Sequence, residues 1–477
     1  MDKLYDVIII GSGVVGNAIA REMSRYNLKI GVLEKELDVC NETSARNSGV
    51  LHAGFNNKPG TLMAKFCVEG NQGFDQVAKE LGVPFKRCGK LVVGFSEEDK
   101  EKLIAMKEQG EKNGVKGLEI IGKDKIKEIE PNIDGEFAMW SKTTGILNPF
   151  LLTIALAENA AENGVEYYFA NEVIEIKRVD DIYNIKTVKD TYKTRWVVNA
   201  AGLYSDKISK MIGIDDYTIH PCRGEYFILD EKVGSKLSLP AYPVPNPKEG
   251  GLGIHLTPTI DGNVFIGPSS EYIDERDDYS ATQKIMDLLI KDGGRIFPHI
   301  RREDFIRNFA GIRPKLASKE EGGYHDFVIE MRDEAPNVIN LVGIESPGLT
   351  SSTPIAKYVV SLLKQKEKLT ENENFNPIRK PIVTFNDKSV EEKEALIKEN
   401  PDYGEVICRC QTITKAEILE AINNPLGVET LTGIKYRCRA MMGRCQGGYC
   451  ETRIAGLLEE VKHKNREDVL YSREGSN

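Results

Sequence analysis

The chain has 477 residues, enough for two or three folding units that each bury a core. Its formal net charge of −9 argues against nucleic-acid binding as the main activity, although a few arginines can still build a local site for an anionic substrate. No apolar run reaches the length of a membrane span, and the opening Met1-Asp-Lys-Leu-Tyr-Asp carries no signal-peptide pattern. With unpaired cysteines, this predicts a cytoplasmic protein without a transmembrane segment.

The first element is an apolar strand, Tyr5-Asp-Val-Ile-Ile-Ile, that breaks into Gly11-Ser-Gly13-Val-Val-Gly16 and a helix beginning near Val14. Glycines there allow a tight turn, close approach of backbone to a pyrophosphate and close helix-on-strand packing, while the helix N-terminus offers N–H groups and a positive dipole end. A second strand, Lys29 to Leu33, delivers Glu34 at a spacing suited to ribose hydroxyls; its charge opposes a 2′-phosphate, so FAD or NAD is favoured over NADP. A glycine turn kept for packing alone is the competing reading, and the ordered series of strand, turn, helix, strand and acid counts against it.

Strands and helices then alternate to about residue 370: Leu151 to Asn163 reads as a helix, Glu166 to Ile176 as strands and Thr194 to Ala200 as a buried strand. The region from Pro221 to Arg313 is rich in strand patterns and Pro/Gly turns, as expected of an inserted antiparallel domain whose strands fall mainly within 75–145 and 221–313. Lys364 to Asn374 reads as a solvated connector opening a linker over 371–402, in which Ser389 to Glu399 is a surface helix. Ile413 to Asn423 is helical with Thr414 and Glu417 at capping-box spacing, Arg453 to Val461 is a last helix, and 466–477 is a polar tail.

Near the C-terminus stand Cys408-Arg-Cys410 and Cys445-Gln-Gly-Gly-Tyr-Cys450, two close thiol pairs able to enclose one metal centre. Structural zinc is the natural rival, but its near pairs are usually spaced by two to four residues. One intervening residue suits a dinuclear iron–sulfur centre better, ahead of zinc and of unrelated buried thiols. Glycines 443, 447 and 448 let backbone N–H groups reach the sulfurs. Cys438 reads as a spectator, and Cys40, Cys67, Cys88 and Cys222 as reduced thiols. The module, 403–465, is small enough to need its metal to fold.

The stretch from Glu42 to Gly60, with His52 between Gly49 and Gly54, resembles the flavin-facing loop of the glycerol-3-phosphate and L-2-hydroxyglutarate oxidoreductases in the glycine/D-amino-acid oxidase superfamily. The likeness continues through Val197-Val-Asn-Ala-Ala-Gly202 with Asp206, Arg223-Gly-Glu-Tyr-Phe227, Phe309-Ala-Gly-Ile-Arg313-Pro-Lys315 and Gly343-Ile-Glu-Ser-Pro-Gly348-Leu-Thr-Ser. The cysteine module resembles the bacterioferritin-associated-ferredoxin-like domain that ends anaerobic glycerol-3-phosphate dehydrogenase catalytic subunits. The implied fold is α/β: a Rossmann-like FAD-binding domain with an inserted antiparallel-sheet substrate domain, plus a small helical cluster-binding domain. The implied cofactors are FAD, contacted by Gly11, Gly13, Gly16, Glu34, Lys35, Ser44, Asn47, Ser48, Gly49, Val173, Ala200, Gly202, Gly348, Leu349, Thr350 and Ser351, and a 2Fe-2S cluster on Cys408, Cys410, Cys445 and Cys450.

Oxidising an alcohol by hydride transfer to a flavin needs a base for the hydroxyl proton, and His52 has the range for it. Thr353 can cap a helix with Pro354 at its first position, aiming N–H groups at the flavin. Arg313 is the leading candidate to grip an anion, with Lys315 and Arg223 weaker ones that solvent or structural ion pairs also explain. The resemblance adds Ser346 as a substrate-side hydroxyl, and His255 is either a second polar group over the flavin or a satisfied strand histidine. Motifs of both families occur: Tyr242-Pro-Val-Pro and Gly253-Ile-His-Leu-Thr look like the hydroxyglutarate enzymes, Phe309-Ala-Gly-Ile-Arg-Pro and Ser346-Pro-Gly-Leu-Thr like the glycerol-3-phosphate enzymes. The acidic run Glu271-Tyr-Ile-Asp-Glu-Arg-Asp-Asp278 stands where the former tend to be basic. The expectation is oxidation of sn-glycerol 3-phosphate, with L-2-hydroxyglutarate or another small hydroxy or amino acid as the alternative. Electrons are expected to leave through the cluster to an acceptor protein or further dehydrogenase subunit, in an oligomer for which peripheral membrane association stays open.

Overall fold

The computed structural model describes residues 3–245, 253–473 and 476. Leu252, at the head of the His255 motif, and tail residues 474, 475 and 477 lie outside them.

Leu4–Ile10 runs between two parallel neighbours, Thr191–Asn199 and Ile30–Leu33, in an eight-stranded sheet, and is apolar on both faces over residues 7–10 because Val7 and Ile9 pack into one core and Ile8 and Ile10 into another. Ala335–Val342 continues the parallel set against Thr191–Asn199, and the hairpin Val173–Val179 with Ile182–Thr187 flanks it. Helices Val14–Met23, Leu62–Leu81, Pro149–Glu162 and Gly348–Lys364 bury one shared core against this sheet, including Ile19, Phe66, Ala155 and Val359. The carboxyl ends of the central strands, at Ile10, Leu33 and Asn199, therefore open toward one edge, the position at which α/β sheets hold ligands.

The second sheet has nine strands and draws them from two separated stretches. Lys90–Gly94, Leu118–Gly122 and Phe137–Ser141 come from the first; His220–Leu229, Ala241–Pro243, His255–Pro258, Val264–Gly267, Glu271–Tyr272 and Phe305–Lys315 come from the second. A parallel pairing of Ala241–Pro243 with Lys90–Gly94 joins the two, and the remaining pairings are antiparallel. Helix Gln283–Ile296, in a region whose sequence suggests strands and turns, covers this sheet with Met286, Leu289 and Ile296.

One expected helix start is corrected. The helix after the Ser346-Pro-Gly348 turn begins at Gly348, so Thr353 does not cap it and Pro354 lies inside it. Pro354 has no N–H to give the Thr350 carbonyl four residues back. That carbonyl instead faces Gly70 of the Leu62–Leu81 helix, where any Cβ would overlap it. The kink-prone residue is tolerated because a neighbouring glycine lets the two helices meet there.

The C-terminal module has its own core of Ile407, Ile413, Ile418, Ile434, Ile454 and Leu458, around helices Lys415–Ile422, Leu431–Cys438 and Glu451–Lys462. The expected capping box of Thr414 with Glu417 forms, and a second joins Ser389 with Glu392. The module is docked on the nucleotide-binding part through buried charge: Arg437 makes a two-pronged contact with Asp38 at 2.6 and 3.0 Å, and Glu158 accepts from Arg379 of the connecting strap at 2.6 Å. Beside them, Phe150 and Tyr436 stack at 4.5 Å.

Candidate active site

The glycine turn builds one end of the site. A side chain at Gly11 would overlap the Ala200 carbonyl, and one at Gly16 would overlap the Gly11 carbonyl, so both glycines serve closeness of backbone to backbone. Gly13 ends the turn as the helix N-cap without a side-chain cap of its own, and Ser44 Oγ accepts from Val14 N at 2.9 Å. Glu34 stands at the end of its strand, fixed by N–H donors from Ser12 (2.7 Å) and Glu36 (2.9 Å). A cavity runs along this edge past Gly11, Gly13, Glu34, Lys35, Ser44, Val173, Ala200 and Gly202. A bare helix N-terminus, a glycine cradle and a fixed carboxylate in one cleft fit the pyrophosphate and ribose of a dinucleotide.

A second cavity continues from it. Asn47, Ser48, His52, Arg313, His255, Ser346, Gly348 and Leu349 line its walls, joined by Tyr226, Tyr242 and Tyr324. The predicted residues Gly16, Gly49, Thr350 and Ser351 lie behind these walls. Gly49 passes the Leu147 carbonyl, where a Cβ would not fit, and Thr350 Oγ1 accepts from His52 N at 3.0 Å, anchoring the His52 loop to the Gly348 helix.

His52 carries its imidazole between the flavin-side cavity and a neighbouring one lined by Phe55, Asn57 and Tyr324. Burial, reinforced by the Lys90 cation, lowers its pKa to about 3, so the ring is neutral through the physiological range. His255 is fully enclosed: Nδ1 meets the Gly253 carbonyl at 2.8 Å, the ring stacks on Tyr242 at 3.6 Å, and Nε2 has no hydrogen-bond partner among the described residues. The Ser48 hydroxyl lies between the phenols of Tyr226 and Tyr242.

The three basic candidates separate clearly. Arg223 is enclosed by carboxylates, with Glu271 at 2.8 Å, Glu225 at 3.6 Å and Asp278 in direct contact, and Lys315 is buried against Glu345 at 3.3 Å. Both are structural ion pairs. Arg313 faces the cavity with no ion pair among the described residues, its guanidinium held by the Ser269 carbonyl at 2.8 Å and the Cys222 carbonyl at 3.4 Å.

Two residue types escaped sequence reasoning. Tyr226 and Tyr242 sit inside motif runs whose kinship value hid their position on the cavity wall. Lys90, which no motif marks, opens an apolar strand and is wholly buried, its ammonium 3.5 Å from the Tyr242 ring centroid.

At the other site, Cys408 Sγ and Cys410 Sγ are 3.9 Å apart and Cys410 Sγ and Cys445 Sγ 3.7 Å, with Cys450 beside Cys408. The sulfurs form a chain of neighbouring pairs, and among the described residues no three His, Cys, Asp or Glu side chains converge as a metal-holding group. Gly443 passes so close to Cys410 Sγ that a Cβ there would overlap it. An all-thiol donor set wrapped by glycine backbone fits an iron–sulfur centre. Cys438 is buried in the helix Leu431–Cys438, its thiol turned to the Ile434 carbonyl at 3.3 Å.

A glycine-turn nucleotide cleft that opens beneath a mixed antiparallel sheet, with a thiol-rich module docked alongside, defines a dinucleotide-dependent oxidoreductase. The chain belongs to the FAD dependent oxidoreductase family, whose model matches residues 6–362, and residues 406–460 match the BFD-like [2Fe-2S] binding domain. Its cofactors are FAD and a 2Fe-2S cluster. The chain is 42% identical over 476 residues to a glycerol 3-phosphate dehydrogenase of Caloramator mitchellensis, covering 99% of this chain and 98% of that one. It is 31% identical to the mitochondrial L-2-hydroxyglutarate dehydrogenase of Homo sapiens, over 76% of this chain and 90% of that one. Among solved structures it resembles the L-alpha-glycerophosphate oxidase of Mycoplasma pneumoniae with FAD bound, at a TM-score of 0.74 and 29% identity, covering 79% of this chain and 98% of that one. No described helix is long and apolar enough to cross a membrane.

Proposed function

We propose that the protein oxidises sn-glycerol 3-phosphate to dihydroxyacetone phosphate. The observation that carries this reading is Arg313, a guanidinium without an ion pair among the described residues, in the cavity that also holds His52, while the neighbouring cations are neutralised. The full-length likeness to a glycerol 3-phosphate dehydrogenase, cysteine module included, supports it.

Gly11, Gly13, Glu34, Ser44 and Gly202 hold the nucleotide end of the flavin, and Asn47, Ser48, Gly348 and Leu349 its ring. When bound, FAD supplies the two-electron acceptor and the cluster a one-electron outlet. Arg313 clamps the phosphate, Ser346 donates to the substrate, and His52, neutral and facing the cavity, takes the hydroxyl proton as the carbon-bound hydride leaves. The dianionic substrate opposes the depression of the His52 pKa, so proton affinity rises when it is needed. His255, locked by Tyr242 and Gly253, sets the polar wall. Cys408, Cys410, Cys445 and Cys450 hold the cluster.

The onward acceptor is a protein or quinone-linked partner, and oxygen turnover is slow because the electrons have a built-in exit. A reducing cytoplasm accords with nine cysteines free of disulfides. An anaerobic dye-reduction screen tests the substrate: glycerol 3-phosphate is expected to exceed L-2-hydroxyglutarate in kcat/KM by at least about tenfold, a difference of about 1.4 kcal/mol in transition-state binding. The reverse order overturns the substrate and leaves the flavin chemistry standing.

A further inference from the structure

A cavity of about 330 Å³ lies where the cluster module meets the rest of the chain. Asn47 and Ser48, which also border the flavin-side cavity, form one wall; Met442 and Gln446, beside Cys445, belong to the facing one. It thus sits between the two cofactor sites and shares only the wall at residues 46–48 with the Arg313 pocket.

Its charge is one-sided. Arg46, Arg307, Lys435, Arg439 and Arg473 all line it, against Asp261 as the only lining carboxylate among the described residues. Two of these cations are accounted for. Arg439 contacts Asp261 and lies 3.5 Å from Glu231, and Arg473 reaches Glu42 at 3.4 Å and Glu36 at 3.6 Å. The other three have no ion pair among the described residues. Arg307 meets the neutral Gln446 amide at 2.8 Å, and Arg46 keeps a buried Nε without a hydrogen-bond partner. Lys435 is only 8% exposed, and no carboxylate or carbonyl contacts its ammonium among the described residues. Burial, with Arg307 nearby, pushes the Lys435 pKa down to about 7, and the Glu451 carboxylate, too far for an ion pair, opposes this only weakly. An anion in the cavity offsets the cost of charging the buried Lys435, with the half-buried Arg46 and the exposed Arg307 beside it.

We propose that this cavity is a binding site for a phosphate-bearing small anion, held by Lys435, Arg307 and Arg46. Three unmatched cations from different elements exceed what one planar carboxylate needs and suit a multiply charged tetrahedral group. Phe265, Phe309 and Tyr436 complete the walls, leaving room for an organic part attached to the phosphate. The site does not depend on which alcohol the enzyme oxidises.

The test is calorimetric titration of the full-length protein, loaded with FAD and cluster, with inorganic phosphate and with phenyl phosphate at constant ionic strength. A saturable component is expected that persists in Arg313→Met and weakens at least tenfold in Lys435→Met and in Arg307→Gln. The rate of substrate-driven flavin reduction should stay within twofold of the parent in both of the latter. Arg307 is exposed, so its variant keeps the test decisive should Lys435→Met fail to fold. Tighter binding of phenyl phosphate identifies an ester as the ligand class, and equal binding identifies free phosphate. Affinity unchanged in both variants, or phosphate binding wholly abolished by Arg313→Met, overturns the site.

Discussion

His52 and Lys90 set the chemistry at the scale of single residues. His52→Ala should slow flavin reduction by about 10²–10⁴-fold while FAD stays bound, as read by anaerobic stopped-flow absorbance; equal rates would remove the ring from the reaction. Lys90 is a buried cation with no hydrogen-bond partner among the described residues, set over the aromatic faces of Tyr242 at 3.5 Å and Phe55 at 5.0 Å. Burial lowers its pKa from 10.5 to about 7. The unfolded chain therefore binds more protons between pH 7 and 10.5, so this group's cost is full below pH 7 and is relieved as pH rises through that window. Lys90→Met should raise the melting temperature more at pH 6 than at pH 10, by the equivalent of about 1–4 kcal/mol at the lower pH. The same change removes a positive neighbour from His52 and should move any acid limb of flavin reduction to higher pH. A melting gain independent of pH would contradict the assignment of charge to Lys90.

At the scale of elements, the close approach of helix Gly348–Lys364 to helix Leu62–Leu81 ties the flavin-side turn to the His52 loop through Thr350. Gly70→Ala drives a Cβ into the Thr350 carbonyl, a backbone atom that cannot swing aside. The expected result is a loss of about 1–3 kcal/mol in denaturant unfolding, with weaker FAD retention; unchanged values would show that the helices have slack. Sequence legibility follows the same physics. The Gly11–Gly16 turn, the parallel strands and the two capping boxes are local patterns, so they are readable from neighbouring residues. The start of the helix at Gly348 was not, because Pro354 is acceptable inside it only through Gly70, a residue far away in the chain. Helix Gln283–Ile296 was hidden by a Pro/Gly-rich setting and its own Gly293-Gly294. Of the site, His52 and Arg313 were legible through motifs, but the neutralisation of Arg223 and Lys315 depends on Asp278 and Glu345 arriving from other segments.

For the whole molecule, the docked module makes one electron path out of two cofactor sites. Its anchor is the buried Arg437–Asp38 contact, reinforced by Glu158 at 3.4 Å from Arg437. Asp38→Asn leaves a buried guanidinium short of its partner and should cost about 3–5 kcal/mol of docking or global stability. Limited proteolysis between 381 and 405 should then release the module faster than from the parent protein. Passage of substrate electrons from flavin to cluster within one chain is read by anaerobic stopped-flow spectra of the cofactor-loaded protein mixed with glycerol 3-phosphate. Rapid flavin bleaching followed by loss of the cluster's visible absorbance is expected, with the second phase absent in Cys410→Ser and the first retained. Flavin bleaching with a cluster that stays oxidised in the parent protein would contradict it.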